Sequence, residues 1–285
     1  MSNGGQGIER AEVDGVQLGY QISGSGTGDP VVFIHGAFIA DSFRPLVAEP
    51  ALAERYKLIT YRRRGYGGTH ASLDKTPTTA ARQAADCAGL LRYLGVEHAY
   101  VVGHSFGGCF ALQLAVDAPE LVRSLALLEP ALFVGASAQA YRESLLRGTE
   151  RYRAEGASGV MEEFIRARWP HYSRAALEQV VPGAFEQALA DAPATFELDI
   201  GFTNWAFDKD QAQRILQPAL VVLGGESRKL HPRFEETYRQ LLDWLPHADG
   251  LIVPAATHFL QLESAEISAT LARALAGFFA GDAPD

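Results

Sequence analysis

One segment of the chain has residue types and spacing suited to nucleophilic catalysis, the G-x-S-x-G pattern Gly103-His104-Ser105-Phe106-Gly107. The apolar run 100–102 before it and a helical pattern after it predict that the serine occupies a sharp strand-to-helix turn. Larger side chains two residues away on either side would collide in such a strained turn. The partial positive charge at the start of the following helix favours the negative oxygen of an acyl intermediate. Ser105 is therefore the candidate nucleophile for attack on an acyl carbonyl; the alternative is an inert serine in a glycine-rich turn.

The elements around Ser105 alternate between short apolar runs and helical patterns. Strands are predicted at 16–22, 31–35, 58–61, 100–102, 124–128, 219–223 and 251–253. The spacing of apolar and small residues predicts helices over 77–94, 106–118, 234–245 and 267–278. This alternation indicates an α/β fold with a mostly parallel sheet that is covered on both faces.

The stretch 136–212 departs from this alternation, because it shows helical patterns and aromatic residues but no convincing strand. We interpret it as a helical insertion between two strand–helix halves. The predicted organisation is a core domain of residues 1–130 and 213–285, with residues 131–212 forming a helical cap, or lid.

Four ordered motifs resemble those of the α/β-hydrolase family, and the likeness spans residues 16–279. They are the HG turn His35-Gly36-Ala37-Phe38, the RGxGxS-like segment Arg64-Gly65-Tyr66-Gly67-Gly68-Thr69, the elbow at Ser105, and the GHFxxxE-like ending Thr257-His258-Phe259 with Glu263. The resemblance implies an eight-stranded, mostly parallel sheet with a helical cap. It also implies an oxyanion hole formed by the backbone N–H groups of Phe106 and of Ala37 in the HG turn.

One position departs from the family pattern. Many members carry the triad aspartate after the seventh strand, where this chain has Arg228, and a cation cannot accept the histidine's N–H. Glu129 is the favoured substitute, because it follows the strand 124–128 and would reach the sheet edge at which such folds bind ligands. A subset of the family resembles this arrangement. Glu226 is the second candidate acid and Asp249 the third, and the alternative for Glu129 is a helix-capping or solvated side chain.

His258 is the candidate base, since it follows the last predicted strand and gives the chain order Ser105, Glu129, His258 that is expected of this family. His258 would take the proton of Ser105 while Glu129 orients the ring. An acyl-enzyme would form, and water activated by His258 would release it. The expected reaction is hydrolysis of a carboxylic ester or lactone. The same triad would also serve C–C bond hydrolysis or acyl transfer, and Arg228 gives weight to a weakly catalytic binding protein.

The expected substrate is a small molecule with an apolar or aromatic acyl group, because the predicted cap is rich in aromatic residues. Phe38 and Phe106 are expected to line the pocket beside the oxyanion hole. Trp169 and Trp205 are expected to line it from the cap.

Other residues with reactive side chains receive structural interpretations. His104 is expected to pack beneath the site, and His35 is expected to shape the HG turn through hydrogen bonds. Cys87 and Cys109 are expected to be small buried apolar residues. The sequence contains neither a Cys/His metal motif nor a dinucleotide fingerprint, so no metal or cofactor is expected.

Composition and charge bear on the partners and the location of the protein. The net charge of −9 and the lack of a basic stripe argue against nucleic acid, and we interpret Arg62-Arg63-Arg64 as a local feature. The first residues lack the pattern of a secretory signal, and no run approaches the roughly 18 apolar residues of a membrane span. We therefore expect a soluble cytoplasmic protein, either a monomer or a homodimer, with no membrane partner.

Overall fold

A single sheet organises the chain in the computed structural model, which describes residues 7–68 and 76–281. Its strands are β1 (Glu9–Val13), β2 (Val16–Ser23), β3 (Val31–Ile34), β4 (Leu58–Tyr61), β5 (Ala99–His104), β6 (Val122–Leu128), β7 (Ala219–Gly224) and β8 (Ala248–Val253). They lie in the order β1-β2-β4-β3-β5-β6-β7-β8. The pairs β1–β2 and β2–β4 are antiparallel, and the remaining pairs are parallel. The predicted eight-stranded, mostly parallel sheet is therefore confirmed.

Helices cover both faces of this sheet. They are α1 (Arg44–Val47), α2 (Pro50–Ala53), α3 (Ala80–Tyr93), α4 (Phe106–Asp117), α5 (Ala138–Glu155), α6 (Ala157–Arg166), α7 (Arg174–Val180), α8 (Ala184–Ala190), α9 (Lys209–Ala212), α10 (Ser227–Leu230), α11 (Pro232–Trp244) and α12 (Ala265–Gly281). In β3, Val32 and Ile34 join the apolar cluster that contains α3 and α4, whereas Val31 and Phe33 join the cluster that contains α12. Because successive side chains point to opposite faces, a strand covered on both sides is apolar throughout.

The strand β1 was not predicted. Its sequence, Glu-Arg-Ala-Glu-Val, buries only the side chains of Ala11 and Val13, so its apolar signal is weak. It pairs with β2 across a turn in which Asp14 has φ 46° and Gly15 has φ 75°. An Asp-Gly pair in that left-handed region is a strong hairpin signal, and it could have indicated the strand.

The segment between β6 and β7 is helical wherever it forms regular structure. It contains α5 to α9, together with a π-helical turn (Ala194–Leu198) and a 3-10 turn (Asp199–Asn204). The division of the chain into a core of residues 1–130 and 213–285 and a cap of residues 131–212 stays a prediction. Thr69, His70 and the first residues of the chain lie outside the described residues. Among the helices of the described ranges, none combines the length and the apolar character that a membrane span requires.

Candidate active site

Ser105 occupies the connection between β5 and α4 with a backbone conformation of φ 54° and ψ −118°. Non-glycine residues rarely adopt positive φ, so the surrounding packing must hold this turn in place. A Cβ atom at Gly103 would lie 2.5 Å from the carbonyl oxygen of Gly107, and one at Gly107 would lie 1.9 Å from the carbonyl oxygen of Ile34. Both glycines are therefore required by close backbone contacts, as the G-x-S-x-G pattern predicts.

The end of β6 is tied to this elbow by two backbone hydrogen bonds. The Ser105 N–H donates to the carbonyl oxygen of Leu128 at 3.0 Å, and the Ala131 N–H donates to the carbonyl oxygen of Ser105 at 3.0 Å. Glu129 lies between these two contacts and has φ 44°, which turns its side chain out of the strand direction. The same hydrogen bonds that hold the serine therefore hold the carboxylate beside it.

The structure brings Ser105, His258 and Glu129 into one hydrogen-bonded chain. The Ser105 Oγ lies 3.0 Å from Nε2 of His258, and Nδ1 of His258 lies 2.7 Å from Oε2 of Glu129. The other carboxylate oxygen of Glu129 accepts a 2.7 Å hydrogen bond from the Gly224 N–H at the end of β7. Since a carboxylate only accepts, Nδ1 carries the proton and Nε2 is free to accept the proton of Ser105.

The two other candidate acids lie away from His258. The Glu226 carboxylate pairs with Lys229 at 2.6 Å and its side chain is 42% exposed. Asp249 is exposed on β8, and Arg228 is exposed on α10. Of the candidate acids, Glu129 is thus the one that contacts the histidine.

Burial determines the protonation states of His258 and Glu129. It lowers the pKa of His258 well below the ordinary value, and the positive charges of Arg233 and Arg168 lower it further. Burial also raises the pKa of Glu129, although the hydrogen bond from the Gly224 N–H and the charge of Arg233 oppose the rise. Both shifts disfavour charge in the free site, so His258 is neutral and can act as a proton acceptor at neutral pH.

Two other histidines support the loops around the site, as the sequence predicts. His104 Nε2 donates to the carbonyl oxygen of His258 at 2.7 Å, while Nδ1 accepts from Gln261 at 3.2 Å. His35 Nδ1 donates to the carbonyl oxygen of Gly36 at 2.8 Å, and its Nε2 accepts from the Arg63 N–H at 3.1 Å. These bonds fix the loop that carries His258 and the HG turn.

The HG turn and the start of α4 carry the two predicted oxyanion donors. Within the described residues, neither the Ala37 N–H nor the Phe106 N–H donates to a protein acceptor. The next residue, Phe38, has φ 63°, and its N–H donates to Thr195 Oγ1 at 3.2 Å. Thr195 in turn lies 2.8 Å from the Tyr66 hydroxyl. Sequence reasoning missed Thr195, because no local pattern in the π-helical turn shows that it reaches the HG turn.

An apolar cavity adjoins Ser105 through its neighbour Phe106. Phe38 and Phe106 line it, and the other lining residues are Ser144, Leu145, Gly148, Thr149, Phe164, Thr195, Phe196, Ile200, Phe202 and Thr203. Most of the wall is therefore aromatic or aliphatic, which suits an apolar group of a ligand.

The two tryptophans expected in the pocket lie elsewhere, which corrects that prediction. Trp169 packs against Phe259, with ring centroids 5.7 Å apart. Trp205 donates from Nε1 to Gln113 Oε1 at 2.6 Å and stacks on Phe207. Both rings fill space between helices and the core. The prediction failed because these contacts depend on tertiary packing, which the sequence pattern does not reveal.

Comparison with known protein families agrees with this fold. A family model described as alpha/beta hydrolase fold matches residues 29–265. The chain belongs to the α/β-hydrolase fold family. For an α/β-hydrolase, the carboxyl ends of the strands are the expected place for the site, and Ser105 and Glu129 follow β5 and β6 directly.

Individual relatives of this α/β-hydrolase differ in name and in coverage. A dihydrolipoyllysine-residue acetyltransferase component of an acetoin cleaving system from Cupriavidus necator is 38% identical over 141 residues, which cover 50% of this chain and 37% of the relative. A 2-(acetamidomethylene)succinate hydrolase from Mesorhizobium japonicum is 27% identical over 268 residues, covering 90% of this chain and 91% of the relative. An enol-lactonase structure from Burkholderia xenovorans superimposes with a TM-score of 0.75 at 23% identity, over 95% of this chain and 100% of that chain.

Proposed function

We propose that this α/β-hydrolase is a serine hydrolase that cleaves a carboxylic ester or lactone through an acyl-enzyme on Ser105. The observation that carries the proposal is the unbroken chain of contacts from Ser105 Oγ to His258 Nε2, 3.0 Å, and from His258 Nδ1 to Glu129 Oε2, 2.7 Å. The similarity to the 2-(acetamidomethylene)succinate hydrolase, which covers 90% of this chain and 91% of that relative, supports hydrolysis as the class of reaction.

The proposed first half-reaction forms an ester between Ser105 and the acyl group. His258 Nε2 accepts the hydroxyl proton while Ser105 Oγ attacks the substrate carbonyl, and Glu129 stabilises the resulting imidazolium. The backbone N–H groups of Ala37 and Phe106 stabilise the tetrahedral oxyanion. The bond to the leaving alkoxide then breaks, and His258 returns the proton to it.

The proposed second half-reaction releases the acid. His258 accepts a proton from water, the hydroxide attacks the Ser105 ester, and the collapse of the second tetrahedral intermediate returns the proton to Ser105. Acyl chemistry suits this nucleophile better than displacement at a saturated carbon. A serine ether formed by displacement has no carbonyl for water to attack and would leave Ser105 blocked.

The activity test compares labelling and turnover at the same serine. A fluorophosphonate probe should label Ser105 in the wild type, and phenyl hexanoate should be hydrolysed. Ser105→Ala should abolish labelling and lower kcat by about 10⁴-fold or more, because the nucleophile and its base act as a unit.

Ser25→Ala is the matched control, since Ser25 is exposed and its hydroxyl donates to the carbonyl oxygen of Ala53 rather than to His258. It should retain labelling and hydrolysis. Failure of the probe to label Ser105, or labelling without hydrolysis of any ester or lactone in a broad panel, would contradict the proposal and favour a hydrolase-like binding protein.

A further inference from the structure

Two arginines lie beside His258, and neither pairs with an acidic residue in the part of the chain that the structure describes. Arg168 follows α6, and its carbonyl oxygen accepts a 3.3 Å hydrogen bond from the His258 N–H. Arg233 lies on α11 with its guanidinium 3.8 Å from the ring centre of Phe234, whose ring centre is 5.0 Å from that of His258. Elements far apart in the chain thus bring two positive charges to one side of the catalytic histidine.

The hydrogen-bonding groups of this pair are incompletely satisfied. Arg233 is 3% exposed, and neither its Nη1 nor its Nη2 has a hydrogen-bond partner among residues 7–68 and 76–281. Arg168 donates from Nη1 to the carbonyl oxygen of Phe164, but its buried Nε has no partner. The buried hydroxyl of Tyr141 belongs to the same cluster, because its ring centre lies 4.2 Å from the Arg233 guanidinium and the hydroxyl is close enough to Arg168 to favour the charged form of that guanidinium. Buried donors of this kind normally have acceptors, because a buried donor without a hydrogen bond destabilises the fold.

The carboxylates around this pair make no direct contact with it. Within the described part of the chain, neither Arg168 nor Arg233 forms a salt bridge. Glu129 lies near enough for the charge of Arg233 to lower its pKa, but its two oxygens accept hydrogen bonds from Gly224 and His258 rather than from the arginine. A buried charge without a partner is destabilising, so a cluster of this kind calls for an anion.

Repulsion between the two arginine charges also favours binding of an anion. Burial, together with the charge of Arg233, lowers the pKa of Arg168 to about 10 against the opposing effect of Tyr141. An anion placed between the guanidinium groups would relieve both effects.

The cluster is one side chain away from the apolar cavity. The Arg168 guanidinium stacks 3.5 Å from the ring centre of Phe164, and Phe164 lines the cavity and packs against Phe38. The Phe164 ring therefore contacts both the cavity and the Arg168 guanidinium, which places Arg168 directly beside the wall of the cavity that adjoins Ser105.

We propose that Arg168, Arg233 and the Tyr141 hydroxyl bind a carboxylate of the substrate, so that this hydrolase acts on esters or lactones that carry a second, ionised carboxyl group. This inference rests on the proposed hydrolase function for the reaction, but the anion site itself is independent of turnover. It adds a charged end to the apolar substrate expected from the sequence.

The hydrolysis experiment compares the monophenyl esters of glutaric and adipic acid with phenyl hexanoate, by release of phenol. The wild type should favour at least one of the anionic esters in kcat/KM. Arg233→Gln and Arg168→Gln should each reduce that preference by about tenfold or more, since a hydrogen bond to a charged group contributes roughly 1.5–3 kcal/mol.

Arg174→Gln is the matched control. Its guanidinium stacks 3.5 Å from the ring centre of Phe185, as that of Arg168 does on Phe164, but it is exposed and pairs with Glu186. It should leave the preference unchanged. Equal rates on anionic and neutral esters in the wild type, or a preference that survives both arginine substitutions, would overturn the site.

A binding experiment separates the anion site from the reaction. Glutarate and adipate should raise the Tm of the Ser105→Ala protein, glutaramide should not, and Arg168→Gln in the same background should abolish the rise. Arg168 is only half-buried, so this variant keeps the test available if Arg233→Gln fails to fold. Dicarboxylate binding without ester hydrolysis by the wild type would support the anion site and refute the hydrolase function. Hydrolysis of neutral esters without dicarboxylate binding would support the hydrolase function and refute the anion site.

Discussion

Buried arginines occur on both sides of Ser105, and the two sites differ in how their charge is balanced. On the HG-turn side, the Arg63 guanidinium is fully buried and makes two hydrogen bonds to Asp199, at 3.0 and 2.8 Å. It also donates to the carbonyl oxygens of His35 and Gly36, both at 3.0 Å. On the His258 side, both terminal nitrogens of Arg233 lack a hydrogen-bond partner within the described ranges.

The difference separates a structural charge from one that awaits a ligand. Arg63 joins the HG turn to the 3-10 turn that carries Asp199, and Gln83 and Tyr66 donate to the same carboxylate. Its neighbours are paired as well, Arg62 with Asp41 and Arg64 with Asp86. The tract Arg62-Arg63-Arg64 is thus a local feature, as predicted, and each of its three charges is paired with an aspartate of the same chain.

The largest expected effect lies on the His258 side. Glu129→Gln keeps the shape of the side chain but removes the acceptor of the histidine proton, so kcat should fall by about 10⁴-fold. Steady-state kinetics on phenyl hexanoate measure this, and circular dichroism checks that the fold is retained. Glu226→Gln is the control and should lower kcat only slightly. A large loss of kcat in this variant would show that Glu226, and not Glu129, is the triad acid.

On the HG-turn side, Asp199→Asn should reduce the free energy of unfolding by about 3–5 kcal/mol, because it leaves the buried Arg63 uncompensated. Arg233→Gln should cause no such loss, since it removes a charge that has no partner. Urea denaturation of the two variants compares them directly. Equal destabilisation would show that Arg233 also has a structural role, and the contrast between the two sites would fail.

A smaller effect is expected from Thr195, which links the HG-turn network to the oxyanion hole. Thr195→Val removes the acceptor of the Phe38 N–H, and the misplaced turn should lower kcat by about tenfold with little change in KM. Thr195→Ser should restore the rate. Loss of stability without a change in kcat would limit Thr195 to packing.

The smallest effect is a shift in pH dependence. The acid limb of kcat/KM reports the coupled pair of His258 and Glu129, and the charge of Arg233 lowers the pKa of both groups. Arg233→Gln removes a positive charge and makes the imidazolium easier to form, so the limb should move upward, toward higher pH. The profile is measured on phenyl hexanoate, which does not titrate; a downward shift would contradict the assignment of the limb to this pair.

Much of the site follows from features that are local in the sequence. The two glycines beside Ser105 reflect a turn that excludes a Cβ atom, and Glu129 was found from its place at the end of an apolar run. Thr195, Arg168 and Arg233 carry no such signal. Each acquires its place only when helices that follow β6 and β7 pack around the sheet edge.

Apolar periodicity and turn geometry act over a few residues, so the alternating elements, the mostly parallel sheet and the order of Ser105, Glu129 and His258 can be predicted without coordinates. The positions of Trp169 and Trp205 outside the cavity cannot, and neither can the pairing of Arg63 or the lack of a partner for the Arg233 terminal nitrogens within the described residues. Charge balance and side-chain packing depend on neighbours in space, and here those neighbours are as far apart in the chain as Arg63 and Asp199.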